Sequence, residues 1–113
     1  SIIHTTNVEG ILALDLLATD FYRDKAYPTY LYYNPYGTAK SVSIKNVTGR
    51  KTDLYDAVSG KFLARNISRN RSVMLKGKTA MVLVQVPANA VIKNERGKVF
   101  ANSVIINYNS RVN

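Results

Sequence analysis

Six of the chain's eight tyrosines stand between Phe21 and Tyr36, at Tyr22, Tyr27, Tyr30, Tyr32, Tyr33 and Tyr36. A tyrosine ring can stack on the C–H face of a sugar or on a nucleobase while its hydroxyl hydrogen-bonds at the rim. The densest stretch is Tyr30-Leu31-Tyr32-Tyr33-Asn34-Pro35-Tyr36. Its candidate ligand-binding residues are Tyr30, Tyr32, Tyr33, Asn34 and Tyr36, with the Asn34 amide suited to a sugar hydroxyl. The same rings have a commoner use. On a β-strand an amphipathic aromatic packs its body against the core and lets its hydroxyl reach water. Sequence alone leaves both uses open.

The remaining side chains offer little catalytic chemistry. His4 is the only histidine, and near the terminus it has no rigid partner to orient it as a base. No Gly-x-Ser-x-Gly elbow or Gly-rich phosphate loop is present. One histidine and no cysteine cannot build a zinc site. Asp53 and Asp56 differ by three positions, so on a strand they face opposite sides and cannot share a substrate. Glycosidase chemistry needs two carboxylates across a cleft. Asp15, Asp20 and Asp24 are close enough to suggest a calcium site, but the spacing matches no EF-hand loop and lacks its Gly and closing Glu. The sequons at Asn46, Asn66 and Asn70 read as chance in a chain rich in Asn, Ser and Thr. The expectation is a non-catalytic chain with no cofactor and no metal.

Composition bounds what must position these residues. A chain of 113 residues reads as one domain, spanning 1–113 with residues 1–28 as an irregular lead-in and 29–113 as strands. Its 46% hydrophobic content supports a core without disulfide staples and argues against disorder. The absence of cysteine leaves the compartment undecided. The apolar stretches Ile11–Leu17 and Ala80–Val86 are too short for a membrane span. Residues 1–20 carry Glu9 and Asp15 and lack the basic start of a signal peptide. A net charge of +9 attracts polyanions, whether nucleic acid, an anionic membrane surface or acidic polysaccharide.

Strand patterns run through the chain. Thr29–Asn34 predicts a strand with Tyr30 and Tyr32 on one face and Leu31 and Tyr33 on the other, stopped by Pro35. Ile11–Leu17 fits a strand or a short helix equally. Ser41–Lys45 alternates, Val42 and Ile44 against Ser43 and Lys45. Thr52–Ala57 and Lys61–Ile67 flank the Ser59-Gly60 turn signal, with Phe62 and Ala64 expected on one side and Leu63 and Ile67 on the other. Ser68–Arg71 reads as a loop and Val73–Leu75 as a short strand. Thr79–Val86 is apolar on both faces and reads as central. Residues around Ile92 and Val99 flank a loop at Asn94–Gly97, and Val104–Tyr108 closes the domain. The expected fold is all-β, an antiparallel immunoglobulin-like β-sandwich of about eight strands.

Three features carry a family resemblance between Tyr30 and Pro87. The aromatic strand runs into Asn34-Pro35 and on to Val42-Ser43-Ile44. The segment Asp53-Leu54-Tyr55-Asp56-Ala57-Val58-Ser59-Gly60-Lys61-Phe62-Leu63 forms an aspartate-aromatic hairpin. Val73–Val86 joins a polar-to-apolar strand, a Gly turn and a Val-rich strand that ends at Pro87. In these the chain resembles the C-terminal accessory β-sandwich of secreted bacterial polysaccharide-degrading enzymes, chiefly glycoside hydrolases. The resemblance implies a secreted, periplasmic or cell-surface module. Its partner would be the catalytic domain of the same parent chain, or polysaccharide contacted through exposed tyrosines. Catalysis in such enzymes lies in another domain. Two alternatives stand beside it. One is a basic nucleic-acid-binding module using Arg65, Arg69, Arg71, Lys76 and Lys78, although no RNP-like motif is present. The other is a surface adhesion or assembly domain that pairs through a strand edge.

Overall fold

The computed structural model describes residues 2–17 and 26–108. Its strands are β1 (Ile3–Thr5), β2 (Leu12–Asp15), β3 (Thr29–Tyr33), β4 (Lys40–Lys45), β5 (Thr52–Asp56), β6 (Lys61–Ile67), β7 (Asn70–Leu75), β8 (Ala80–Pro87), β9 (Ile92–Glu95), β10 (Lys98–Ala101) and β11 (Val104–Asn107). A six-stranded sheet has the order β1-β2-β3-β8-β5-β6, a pair joins β4 to β7, and a three-stranded sheet runs β11-β10-β9. Every ladder is antiparallel. The chain is therefore an all-β antiparallel sandwich, with eleven strands among the described residues.

Strand β8 organises it. β8 lies between β3 and β5 and is apolar on both faces, so both faces are covered. Met81 and Leu83 join one core, in which Val42, Ile44, Val73 and Leu75 of the β4–β7 pair pack on Tyr32, Leu54 and Ala64 of the large sheet. Val84 and Val86 join another core with Tyr55, against Val99, Ala101 and Ile106 of the three-stranded sheet. The alternation of a strand thus sorts one run of sequence between two layers.

Several expectations are corrected. The expected irregular lead-in of residues 1–28 contains two strands among its described residues, β1 and β2. Within Ile11–Leu17, ambiguous by period, Leu12–Asp15 forms a strand, because β2 finds partners in both β1 and β3. Ser68–Arg71 is only partly a loop: β7 begins at Asn70. Asn94 and Glu95 belong to β9, and the turn narrows to Arg96-Gly97, both at positive φ (52° and 75°), as a tight primed hairpin requires. Phe62 and Ala64 do not share a side. The β5–β6 register shifts on both sides of Leu54, and each extra residue reverses the parity of alternation. Phe62 consequently packs edge-on to Tyr55 at 5.0 Å, whereas Ala64 and Ile67 join the opposite core. Asn66, at φ 55°, sits in this irregular stretch, and its N–H is taken up by Asp53 Oδ1 at 2.9 Å.

Buried polar side chains fasten the ends of the strands. Gln85 donates to Lys45 O at 2.8 Å and accepts from Val47 N at 3.0 Å, tying β8 to the end of β4. Asp56 accepts from Val58 N, Ser59 N and Val82 N, closing the β5–β6 turn onto β8. Gly77 lies against the Tyr36–Gly37 backbone so closely that a Cβ there would sit 2.6 Å from the Gly37 carbonyl carbon. Only glycine permits that approach.

Candidate functional site

Strand β3 pairs with β2 on one side and β8 on the other, setting Tyr30 opposite Asp15 and Leu83, and Tyr32 opposite Ala13 and Met81. Tyr32 belongs to the core beneath the β4–β7 pair and Tyr30 packs against it. Asn7 pins the connection after β1 to the free edge of β4: its Nδ2 donates to Ser41 O at 3.0 Å and its Oδ1 accepts from Ser43 N at 2.7 Å. Thr6 Oγ1 donates to Ile11 O at 2.6 Å, holding that loop against β2. These ties leave a cavity of about 380 Å³ whose walls include His4, Thr5, Tyr30, Tyr32, Ser43 and Lys45. That volume lies within the range of small-ligand sites. The His4 ring stands edge-on to Tyr30, with centroids 6.2 Å apart and planes at 69°.

Tyr32 is unusual within it. Only 4% of the residue is exposed, yet among the described residues its hydroxyl has no hydrogen-bond partner. Among those residues, the side-chain polar atom that is both unpartnered and fully enclosed is Thr52 Oγ1. The Tyr32 hydroxyl therefore keeps an opening, and the cavity is the space its side chain lines. Burial pushes the Tyr32 phenol well above its ordinary value of 10.0, and neighbouring Tyr30 adds to the effect. The Tyr30 phenol is also raised, first by burial and then by the Asp15 carboxylate. Both rings thus present neutral O–H groups that can donate or accept at any ordinary pH.

The five expected ligand residues do not form one platform. Tyr30 and Tyr32 share the cavity. Tyr33 is exposed and, by strand alternation, turned to the other face of the sheet. Tyr36 is exposed, but its hydroxyl donates to Glu9 O and the Lys40 ammonium lies 4.8 Å from its ring centroid. Asn34, expected to meet a sugar hydroxyl, is fully buried (0% exposed). Its Nδ2 donates to Thr38 O and Leu75 O, both at 2.9 Å, and its Oδ1 accepts from Tyr36 N at 2.9 Å. It therefore serves as a fastener of the β3–β4 turn to β7. Tyr27 donates to Ala101 O at 2.8 Å. Tyr22, Asp20 and Asp24 lie outside the described residues.

Sequence reasoning missed His4 and Thr5, because β1 carries only three residues and no clear period. It did place Ser43 and Lys45 on the face opposite Val42, but alternation cannot show which neighbour that face meets.

The aspartates of the described residues are used structurally. Asp53 pairs with Arg65 at 3.3 Å, and Arg65 also stacks over Phe62 at 4.0 Å. Asp15 Oδ1 accepts from Leu17 N at 3.0 Å. Asn46, the first sequon residue, has its amide engaged by Arg50 O, Ile67 O and Ser68 O. Among the described residues no group of three or more His, Asp or Glu converges as a metal site, and no helix is long and apolar enough to cross a membrane.

A second cavity, of about 360 Å³, has apolar walls that include Leu16, Val84 and Ile106. Leu17 and Ala26, also on its walls, border the stretch outside the described residues.

No family model matches the chain, and no curated protein or solved structure matches it.

Proposed function

We propose that this domain is a non-catalytic β-sandwich module of an exported carbohydrate-active protein. It accompanies a catalytic domain of the same parent chain and touches polysaccharide through the cavity beside Tyr30 and Tyr32. The observation that carries this reading is the pairing in one cavity of a partly exposed Tyr30 ring with an unpartnered Tyr32 hydroxyl. A ring of this kind supplies a stacking face for a pyranose, and a free hydroxyl supplies a rim hydrogen bond. Ser43 and Thr5 add further hydroxyls to the walls.

The test is a glycan array followed by calorimetric titration of wild type and Tyr30→Ala. Loss of one aromatic stack lowers affinity about tenfold or more; because Tyr30 packs at the margin of the core, the titration is run well below the variant's own thermal midpoint. Absence of any glycan binding, or equal affinity of the variant, refutes the reading. Tyr32→Ala is unsuitable here, since that ring is core and its removal costs about 3–5 kcal/mol of stability.

A further inference from the structure

On the reading that the cavity takes a sugar, we propose that the sugar is acidic: a hexuronate whose carboxylate pairs with the Lys45 ammonium, whose ring lies against Tyr30, and one of whose hydroxyls meets the Tyr32 hydroxyl. Lys45 is the fixed charge on the cavity wall, and no carboxylate shares that wall. His4 adds an imidazole capable of donating to an anion. Asp15, the carboxylate that acts on Tyr30, is turned to Leu17 N and is not on the wall.

A neutral sugar would give Lys45 only hydroxyl partners in exchange for water. A carboxylate gives it a charge-assisted hydrogen bond, which is about twice as strong as a neutral one. The Tyr32 hydroxyl, carried by a buried ring and unpartnered among the described residues, is the complementary group: a donor or acceptor of a residue that lines the cavity, with no intramolecular hydrogen bond to give up. The net charge of +9 adds long-range attraction for a polyuronate.

Nucleic acid fits these observations less well. Its affinity comes from many phosphates contacted along a track. Strands β1 and β6 stand at opposite edges of the large sheet, and Arg65 of β6 is already engaged by Asp53.

The experiment titrates the purified protein with oligogalacturonate, oligomannuronate and hyaluronan oligosaccharides, each beside its methyl ester, which removes the charge and adds one methyl group. At least one acid should bind about tenfold or more tighter than its ester. Lys45→Met should abolish that preference while leaving the weaker binding of the ester. Tyr32→Phe should weaken binding several-fold with an unchanged thermal midpoint, because its hydroxyl holds nothing else. Esters that bind as tightly as the acids, or an unaltered preference in Lys45→Met, overturn the acidic assignment and leave the sugar-binding reading standing. No binding by acid or ester overturns both. A single-stranded DNA oligomer that displaces the best uronide at equal concentration also overturns the assignment.

Discussion

Thr52→Val should stabilise this protein, against the usual direction of that substitution. Thr52 is the first residue of β5, opposite Ile67 on one side and Pro87 on the other. It is 1% exposed, and its Oγ1 is enclosed with no hydrogen-bond partner. An unsatisfied buried hydroxyl costs about 1–3 kcal/mol. Valine has nearly the same shape and the same β-branching, so strand preference and rotamer restriction are conserved. Its added methyl exchanges an unpaired polar atom for an apolar one among apolar neighbours. Part of that gain goes to accommodating the slightly larger group, so a net of about 1 kcal/mol is expected.

Urea unfolding reads this directly. With a slope of about 1–3 kcal/mol/M for a small protein, the midpoint should rise by about 0.3–1 M with the slope unchanged. The thermal midpoint should rise by about 3–6 °C. Thr52→Ser is the control: it keeps the hydroxyl and loses the methyl, so it should fall about 1 kcal/mol below wild type. The expected order is Val above Thr above Ser. A valine variant less stable than wild type would show that the hydroxyl has a partner after all, and would refute the argument.

Asn34 gives the opposite case. Asn34→Ala orphans Leu75 O, Thr38 O and Tyr36 N at once and should cost about 2–4 kcal/mol. Asn34→Asp should be no better, since it sets a carboxylate against two carbonyl oxygens; a near-neutral Asp variant in urea unfolding would count against the assigned amide orientation. Alkaline stability tests the phenols whose acidity burial shifts. Tyr27, Tyr30 and Tyr32 are all raised above 10.0, chiefly by burial. Their contribution is therefore intact below pH 10 and is lost as pH climbs toward their folded values, because the unfolded chain releases those protons first. Comparing urea midpoints at pH 9 and pH 11, wild type should lose up to about 1 kcal/mol more than Tyr32→Phe. Equal losses would mean that the Tyr32 phenol ionises freely in the folded protein.

The parts of this structure legible from sequence are those that depend on local alternation. Tyr30 and Tyr32 on one face, Val42 and Ile44 inward, and β8 apolar on both sides all follow from the two-residue period of a strand. They hold because each such strand is flanked by neighbours that need those faces. Where an extra residue enters a ladder, as around Leu54 and Leu63, the period misleads and Phe62 parts from Ala64. Nothing local marks such a shift, because it is decided by what the partner strand and the two core layers accept.

The site divides in the same way. Sequence identified an aromatic strand capable of contacting a ligand, and its face-by-face alternation. It could not tell which of the two faces, that of Tyr32 or that of Tyr33, would meet the core and the cavity, nor see that Asn34 would be sealed beneath a turn. His4, Ser43 and Lys45 come from strands that are distant in the chain, and only the sheet order, with Asn7 bridging to β4, brings them around Tyr30. Side-chain alternation is a property of one strand, whereas a cavity belongs to the packing of several. The first was therefore written in the residue order, and the second was settled only when the layers closed.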